Sequence, residues 1–230
     1  RRRLFTPITV LRPAWMAEQG IPQVIAPLKT MGGAAWVEAD GLRVIVYPFL
    51  EGRDGFKRPL EAADWQALGQ VLRLIHELAL PETLRQVMRQ ETFGLEWCAV
   101  LRNIMADNDD LSTDGTMLLK PLLHSRQETI HRLIHHAEVL AQRIEPQGLA
   151  FVPCHSDIHP GNVFFPFSGG LRVVDWDEPI LAPRERDLMY IGSGIGPAIH
   201  PAEKEEEWFF AGYGRIPLHS EVLCYYRYYR

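Results

Sequence analysis

Hydrophobic and polar positions repeat with two different periods along the chain, and the first 55 residues read mainly as strands. Apolar residues including Val10 and Trp15 predict a helix over residues 4–19, with Pro7 near its start. Three short strands follow, the last two paired around a turn at Asp40-Gly41: residues 24–29, 35–38 and 42–47. The chain then leaves this sheet at Pro48 and enters a predicted loop over residues 53–55.

Beyond residue 60 the apolar positions change to a helical spacing. Five helices are predicted here, two of them in the tail: residues 65–79, 95–105, 130–144, 203–211 and 220–230. Pro81 ends the first pattern, and the polar run over residues 108–115 predicts a linker. Helices therefore dominate the second part of the chain.

A small hairpin interrupts the helices. Residues 163–165 and 171–175 are strand-like and flank a turn that contains Gly169-Gly170. The order of strands, helices, hairpin and helices predicts an α+β, protein-kinase-like fold with two lobes. We expect residues 1–50 to form a partial N-terminal β lobe and hinge, and residues 51–230 a mainly helical C-terminal lobe.

Composition restricts the functional classes. The chain has 230 residues, 47% of them hydrophobic, with a net charge of −5, which disfavours a nucleic-acid partner and suits a cationic one. The three cysteines are widely spaced, which is typical of a reducing cytoplasm. No apolar run reaches the length of a membrane span, so no membrane partner is expected. The sequence does not distinguish a monomer from a dimer.

The hairpin carries residues that suit phosphoryl transfer. Asp157 lies in a segment that is neither strand nor helix, where a carboxylate can orient an attacking hydroxyl. Asn162 and Asp175 offer hard oxygen ligands for Mg²⁺. Asp177 would lie on the same side as Asp175 if the strand continued, and is a candidate second ligand.

Two other interpretations apply to these residues. Aspartate and asparagine are common in turns and at strand ends, although an ordered set around one hairpin makes this weaker here. His155, Asp157 and His159 suggest a metal hydrolase, but Pro160-Gly161 breaks a helix and no third ligand has zinc-site spacing.

The segment His155–Asn162 resembles the catalytic loop of the aminoglycoside phosphotransferase family, which shares the protein-kinase-like fold. Residues 175–177 resemble the family's metal-binding segment. The longer stretch of residues 175–189, and residues 46–52 at the hinge, look most like the spectinomycin phosphotransferase branch.

This resemblance implies an ATP-dependent phosphotransferase, with GTP possible as the donor. It would phosphorylate a hydroxyl of a small hydroxylated amine, such as an aminoglycoside or aminocyclitol antibiotic, and so confer resistance. Asp157 would be the catalytic residue, Asn162 and Asp175 would bind Mg²⁺, and His155 and Asp187 would support the loop.

The resemblance also implies a nucleotide site at the hinge. The backbone of Pro48 and Leu50 would hydrogen-bond adenine, with Tyr47 and Phe49 nearby. Plain core packing is the alternative for these two aromatic residues.

The sequence departs from a complete kinase. A complete kinase has a phosphate-covering loop, a strand lysine and a helix glutamate. Gly32-Gly33 does not match the loop and Lys29 does not match the lysine, because both follow the first helix. We therefore expect truncation at both ends and weak nucleotide binding. A kinase-like remnant acting as a binding module, and a choline, homoserine or fructosamine-type metabolite kinase, are the alternative functions.

Overall fold

The computed structural model describes residues 6–106, 114–144, 148–195 and 199–229. Its helices are α1 (Ile8–Glu18), α2 (Ala62–Glu77), α3 (Glu82–Arg85), α4 (Glu96–Met105), α5 (Asp114–Ser125), α6 (Gln127–Arg143), α7 (Glu185–Leu188), α8 (Ala202–Tyr213) and α9 (Ser220–Tyr229). Its strands are β1 (Val37–Ala39), β2 (Leu42–Val44), β3 (Gly52–Asp54), β4 (Arg89–Gln90), β5 (Phe151–Cys154), β6 (Val163–Pro166), β7 (Arg172–Val173) and β8 (Ile180–Pro183). Among the described residues, no helix is both long enough and apolar enough to cross a membrane.

The chain divides into two compact units, each assembled from separate stretches of sequence. The first contains Arg1–Gln90 and Ala150–Pro217, and the second contains Glu91–Leu149 and Leu218–Arg230. All of the predicted site residues belong to the first unit. The predicted lobe boundary at residue 50 stays a prediction.

Three small sheets shape the first unit. Strands β1 and β2 form the predicted hairpin, whose turn residues Asp40 and Gly41 have φ angles of 52° and 73°. Both angles lie in the left-handed region that an Asp-Gly turn favours. The other sheets have the strand orders β3-β6-β7 and β4-β8-β5, and they join residues from distant parts of the sequence.

One strand prediction and one loop prediction were wrong. Residues 24–29 do not form a strand, because only Val24 makes an isolated bridge, with Val173, and Pro27 has no backbone N–H to donate. Residues 53–55 were predicted as a loop, but β3 pairs with β6 in the register Arg53 to Phe165. Pairing across such a distance leaves no local pattern in the sequence.

Helix α2 forms the main packing surface of the first unit, and it lies against α8. The two helices approach closely at Gly69 and Gly212, where an added Cβ would collide with the facing backbone. Helix α2 buries the apolar stripe that predicted it, including Trp65 and Ile75. The close approach also brings His76 of α2 to Tyr213 of α8.

The second unit is helical, and its helices α4, α6 and α9 correspond to the helices predicted over residues 95–105, 130–144 and 220–230. Its core cluster is Cys98, Ile134 and Ala137, from α4 and α6. Helix α9 packs along α6 and buries Tyr225. Residues 108–113 of the predicted linker lie outside the described residues, and residues 114–115 begin α5, a helix that the sequence pattern did not predict.

Candidate active site

The predicted catalytic loop begins where β5 ends. Its second residue, Ser156, is buried and has a φ of 81°, an unfavourable conformation for a residue with a side chain. The carboxylate of Asp187 accepts hydrogen bonds from the backbone N–H groups of His155 (2.8 Å) and Ser156 (2.6 Å). These two bonds hold the strained backbone immediately before Asp157.

Asp187 is in turn held by His76 of α2, and His76 is itself held by Tyr213 of α8. His76 Nε2 lies 2.9 Å from Asp187 Oδ2, and His76 Nδ1 lies 2.8 Å from the Tyr213 hydroxyl. Burial alone would raise the pKa of Asp187, but the hydrogen bond and charge of His76 and the contacts of His155 lower it below its ordinary value. The loop is therefore braced by a buried carboxylate in its ionised form.

Asp157 projects from this loop with 39% of its side chain exposed. Tyr190 donates a hydrogen bond of 2.7 Å to Oδ1. The amide of Asn162 donates to the backbone carbonyl of Asp157 at 2.8 Å and lies 3.4 Å from Oδ2. His159 Nε2 lies 3.6 Å from Oδ2. The carboxylate is thus oriented by its neighbours and still accessible to a substrate.

His155 connects the loop to the predicted metal-binding segment. Its Nδ1 accepts the N–H of Asp157 at 3.2 Å, which places the ring proton on Nε2, and Nε2 donates to the carbonyl of Val174 at 2.9 Å. Burial lowers the pKa of His155, so the neutral ring is favoured. The ring also packs edge-on against Trp176, with the centroids 4.5 Å apart.

Asp175 follows directly after Val174, whose N–H donates to the Asn162 carbonyl at 3.0 Å. This bond places the backbone of Asn162 beside the residue that precedes Asp175. Strand β7 ends at Val173, not at Asp175 as predicted, and Asp175 has a φ of 63°. The premise that placed Asp177 on the same side through a continuing strand is therefore wrong, although both aspartates are exposed.

Arg12 is a site neighbour that the sequence pattern did not reveal. It is fully buried, donates to the carbonyls of Cys154 (2.6 Å) and Pro153 (2.8 Å), and lies over the Trp176 ring at 5.0 Å. Burial lowers the pKa of Arg12 to about 10, against the opposing effect of Asp187. Helix α1 thereby contacts the end of β5 and Trp176 of the predicted metal-binding segment.

The predicted hinge residues lie between β2 and β3. Phe49 is 88% exposed and Tyr47 is 44% exposed, so core packing does not explain either aromatic residue. Burial, and secondly the charge of Asp177, raise the pKa of Tyr47. Pro48 is exposed and Leu50 is partly buried.

The turn after β3 packs against the catalytic loop, which the sequence did not predict. Gly55 donates to the carbonyls of Pro160 and Val163, both at 2.9 Å, and a Cβ on Gly55 would collide with Pro160. Phe56 stacks on His159 with the ring centroids 5.4 Å apart. Glycine at position 55 is what permits this approach.

A family model described as the phosphotransferase enzyme family matches residues 13–219. The chain belongs to the phosphotransferase enzyme family. This confirms the predicted family and enzyme class. No curated protein matches this phosphotransferase.

Solved structures agree with this assignment. Spectinomycin phosphotransferase APH(9)-Ia in complex with ADP and spectinomycin is 33% identical, with a TM-score of 0.86 over 97% of this chain and 68% of that one. Its AMP-bound structure is 32% identical, with a TM-score of 0.87 over 99% and 72%. An aminoglycoside-3′-phosphotransferase of type VIII is 20% identical, with a TM-score of 0.59 over 96% and 77%, and shows the fold alone. The predicted α+β, protein-kinase-like fold is confirmed.

The hydrolase alternative loses its support in this phosphotransferase. Within the described ranges, the one cluster with metal-ligand geometry is His76, Cys154 and Asp187. All three are buried, and the cluster is explained by the hydrogen bond between His76 and Asp187. The set of His155, Asp157 and His159 is not among such clusters, and both ring nitrogens of His155 make hydrogen bonds.

Proposed function

We propose that the protein transfers the γ-phosphate of ATP to a hydroxyl of a small hydroxylated amine, with Asp157 as the catalytic carboxylate. One observation carries this proposal. Asp157 is partly exposed on a braced loop and next to Asn162, whose carbonyl accepts the N–H of Val174, the residue before Asp175. This arrangement supports a site in which acceptor orientation and metal binding would occur at one place, as phosphoryl transfer requires.

The proposed reaction has a simple balance of bonds. The acceptor oxygen forms a bond to the γ-phosphorus as the bond from that phosphorus to the bridging oxygen of ADP breaks. Asp157 accepts the hydroxyl proton as the new bond forms and later releases it to solvent. The protein contributes mainly by positioning these groups, so the bracing of the loop by Asp187 has a direct catalytic purpose.

The residues at the site fit Mg²⁺. Asn162 commits its amide N–H to the carbonyl of Asp157, which leaves its side-chain oxygen as the ligand atom, and Asp175 supplies an exposed carboxylate. Asp177 is a further candidate ligand. When bound, the ion would neutralise charge on the nucleotide phosphates.

The nucleotide site is proposed at the exposed hinge, residues 47–50. The backbone of Pro48 and Leu50 would meet the adenine of ATP or the guanine of GTP, with Tyr47 and Phe49 beside it. Support comes from the exposed Phe49 ring and from the 33% identical relative that was solved with ADP.

The acceptor class is supported by the same relative, which was solved with spectinomycin, an aminocyclitol. A net charge of −5 suits a cationic amine. We therefore propose an antibiotic-resistance role. The cysteines Cys98, Cys154 and Cys224 are free, which supports a cytoplasmic location.

The test is ADP release by the complete protein with Mg²⁺, ATP and one acceptor at a time: spectinomycin, an aminoglycoside, choline or homoserine. We expect turnover with an antibiotic acceptor, a mass gain of one phosphate on it, and at least a ~1,000-fold loss of kcat in Asp157→Asn. Turnover with choline or homoserine alone would support a metabolite kinase. Nucleotide binding without turnover of any acceptor would support the binding module.

A further inference from the structure

Tyr190 contacts the proposed catalytic carboxylate but belongs to no motif in the sequence. It lies just after α7, is 8% exposed, and its hydroxyl is 2.7 Å from Asp157 Oδ1. The same hydroxyl is 3.5 Å from the carbonyl of Ser156. Its single proton therefore goes to the carboxylate, which is both nearer and charged.

Tyr190 acts from the same short stretch of chain that braces the loop backbone. Asp187, three residues earlier, accepts the N–H groups of the two residues before Asp157. Arg186 donates to the Ser156 hydroxyl at 3.0 Å. One turn of chain thus holds the backbone of the loop and also its functional side chain, so the carboxylate is fixed relative to its own loop.

We propose that Tyr190 is a positioning residue, whose hydroxyl holds Oδ1 of Asp157 and thereby presents Oδ2 to the acceptor hydroxyl. This inference rests on the proposed function. Oδ2 is the oxygen that faces Asn162 Nδ2 (3.4 Å) and His159 Nε2 (3.6 Å), on the side of the metal ligand Asn162. With Oδ1 held, the carboxylate cannot rotate freely, and proton transfer is directed to Oδ2.

The competing explanation is that Tyr190 is a core aromatic residue, and that its hydroxyl bonds Asp157 only to satisfy its own hydrogen-bonding group. The two explanations predict different kinetics. A core tyrosine would affect stability and leave kcat unchanged in the folded enzyme. A positioning tyrosine would affect kcat and leave substrate binding unchanged, because its hydroxyl acts on the reacting geometry alone.

The decisive variant is Tyr190→Phe in the complete protein, since it removes only the hydroxyl. We expect kcat to fall about 10- to 100-fold, with KM for ATP and for the acceptor within about twofold of the wild type. The matched control is Tyr226→Phe, because Tyr226 is also buried and its hydroxyl donates to Glu91 Oε2 at 3.1 Å, outside the proposed site. The control should keep the wild-type kcat.

Asp157→Asn, measured in parallel, separates the two proposals. If Asp157→Asn keeps its turnover, the proposed function fails and Tyr190 has no catalytic carboxylate to position. If Asp157→Asn is inactive while Tyr190→Phe keeps the wild-type kcat, only the inference about Tyr190 is overturned. A Tyr190→Phe protein that is unfolded at the assay temperature also counts against it. Incorporation of 3-fluorotyrosine at position 190, which restores a hydroxyl, should return most of the lost kcat.

Discussion

His76 Nε2 lies 2.9 Å from Asp187 Oδ2, and neither side chain is more than 1% exposed. His76 belongs to α2, and the Asp187 carboxylate also holds the backbone of His155 and Ser156. The core of the first unit is therefore connected directly to the catalytic loop. A change that weakens this contact should affect stability and loop geometry together.

We expect Asp187→Asn to lower the free energy of unfolding by about 3–5 kcal/mol, because it leaves buried donors without a matching acceptor. Urea unfolding measures this loss. Glu77→Gln is the control, since Glu77 pairs with Arg73 at 2.8 Å but both side chains are about half exposed. Its cost should stay below about 1 kcal/mol. Similar small losses in the two variants would show that Asp187 does not brace the loop.

Two buried groups make stability depend on pH in the same direction. The pKa of His155 is lowered in the folded protein from 6.5, so the unfolded chain gains a proton first and stability falls as pH drops below 6.5. The pKa of Asp187 is also lowered, so its contribution is present above its unfolded pKa of about 3.9 and is lost as pH falls through the folded value.

The pH effect of His155 can be separated by mutation. Urea unfolding of the wild type between pH 7.5 and 5.5 should show a loss of stability that His155→Gln reduces, because that variant has no ring to protonate. Below about pH 4, both proteins should lose stability through Asp187. Identical slopes between pH 7.5 and 5.5 would contradict the assignment to His155.

Local order in the sequence indicated Asp157 and Asn162, and the family resemblance indicated Asp187, whereas the contacts that His76 and Arg12 make over long distances left no sequence pattern. Asp157 and Asn162 lie in one short loop, and α2 and α6 have strong helical periods, so a local pattern sufficed. His76 is 111 residues from Asp187, and Arg12 is 142 residues from Cys154. Each lies among the core residues of a helix, and only the packing of distant elements gives it a partner.

Arg12 provides a test of such a distant contact. Arg12→Met keeps much of the volume but leaves the carbonyls of Pro153 and Cys154 without their donor, so we expect a loss of about 2–4 kcal/mol in unfolding free energy. Arg43→Met is the control, because Arg43 is exposed and pairs with Glu38 on the β1–β2 hairpin. If the two variants lose equal stability, the buried guanidinium does not support β5.

The exposed Phe49 tests the proposed nucleotide site. Phe49→Ala should raise KM for ATP about 3- to 30-fold, since a base would lose its apolar contact, while stability stays within about 0.5 kcal/mol. Phe167→Ala serves as the control, because Phe167 is 70% exposed and lies outside the hinge. An unchanged KM for ATP in Phe49→Ala would remove this ring from the site.

A pair of matched variants can show whether Asp175 or Asp177 is the principal Mg²⁺ ligand. Both are exposed, and buried Trp176 separates them. Asp175 alone follows the residue whose N–H binds the Asn162 carbonyl, and asparagine tolerates its φ of 63°. Asp175→Asn therefore removes a charge without straining the backbone.

We expect Asp175→Asn to weaken Mg²⁺-dependent ATP binding at least tenfold, a change of about 1.4 kcal/mol, with unfolding free energy within about 0.5 kcal/mol of the wild type. Isothermal titration with ATP, with and without Mg²⁺, measures the effect. Asp177→Asn should change binding less, because Asp177 lies two residues further along the chain from the Val174 N–H bond to the Asn162 carbonyl. An equal loss in both variants would make Asp177 a full second ligand, and a loss confined to Asp177→Asn would exclude Asp175 as the principal one.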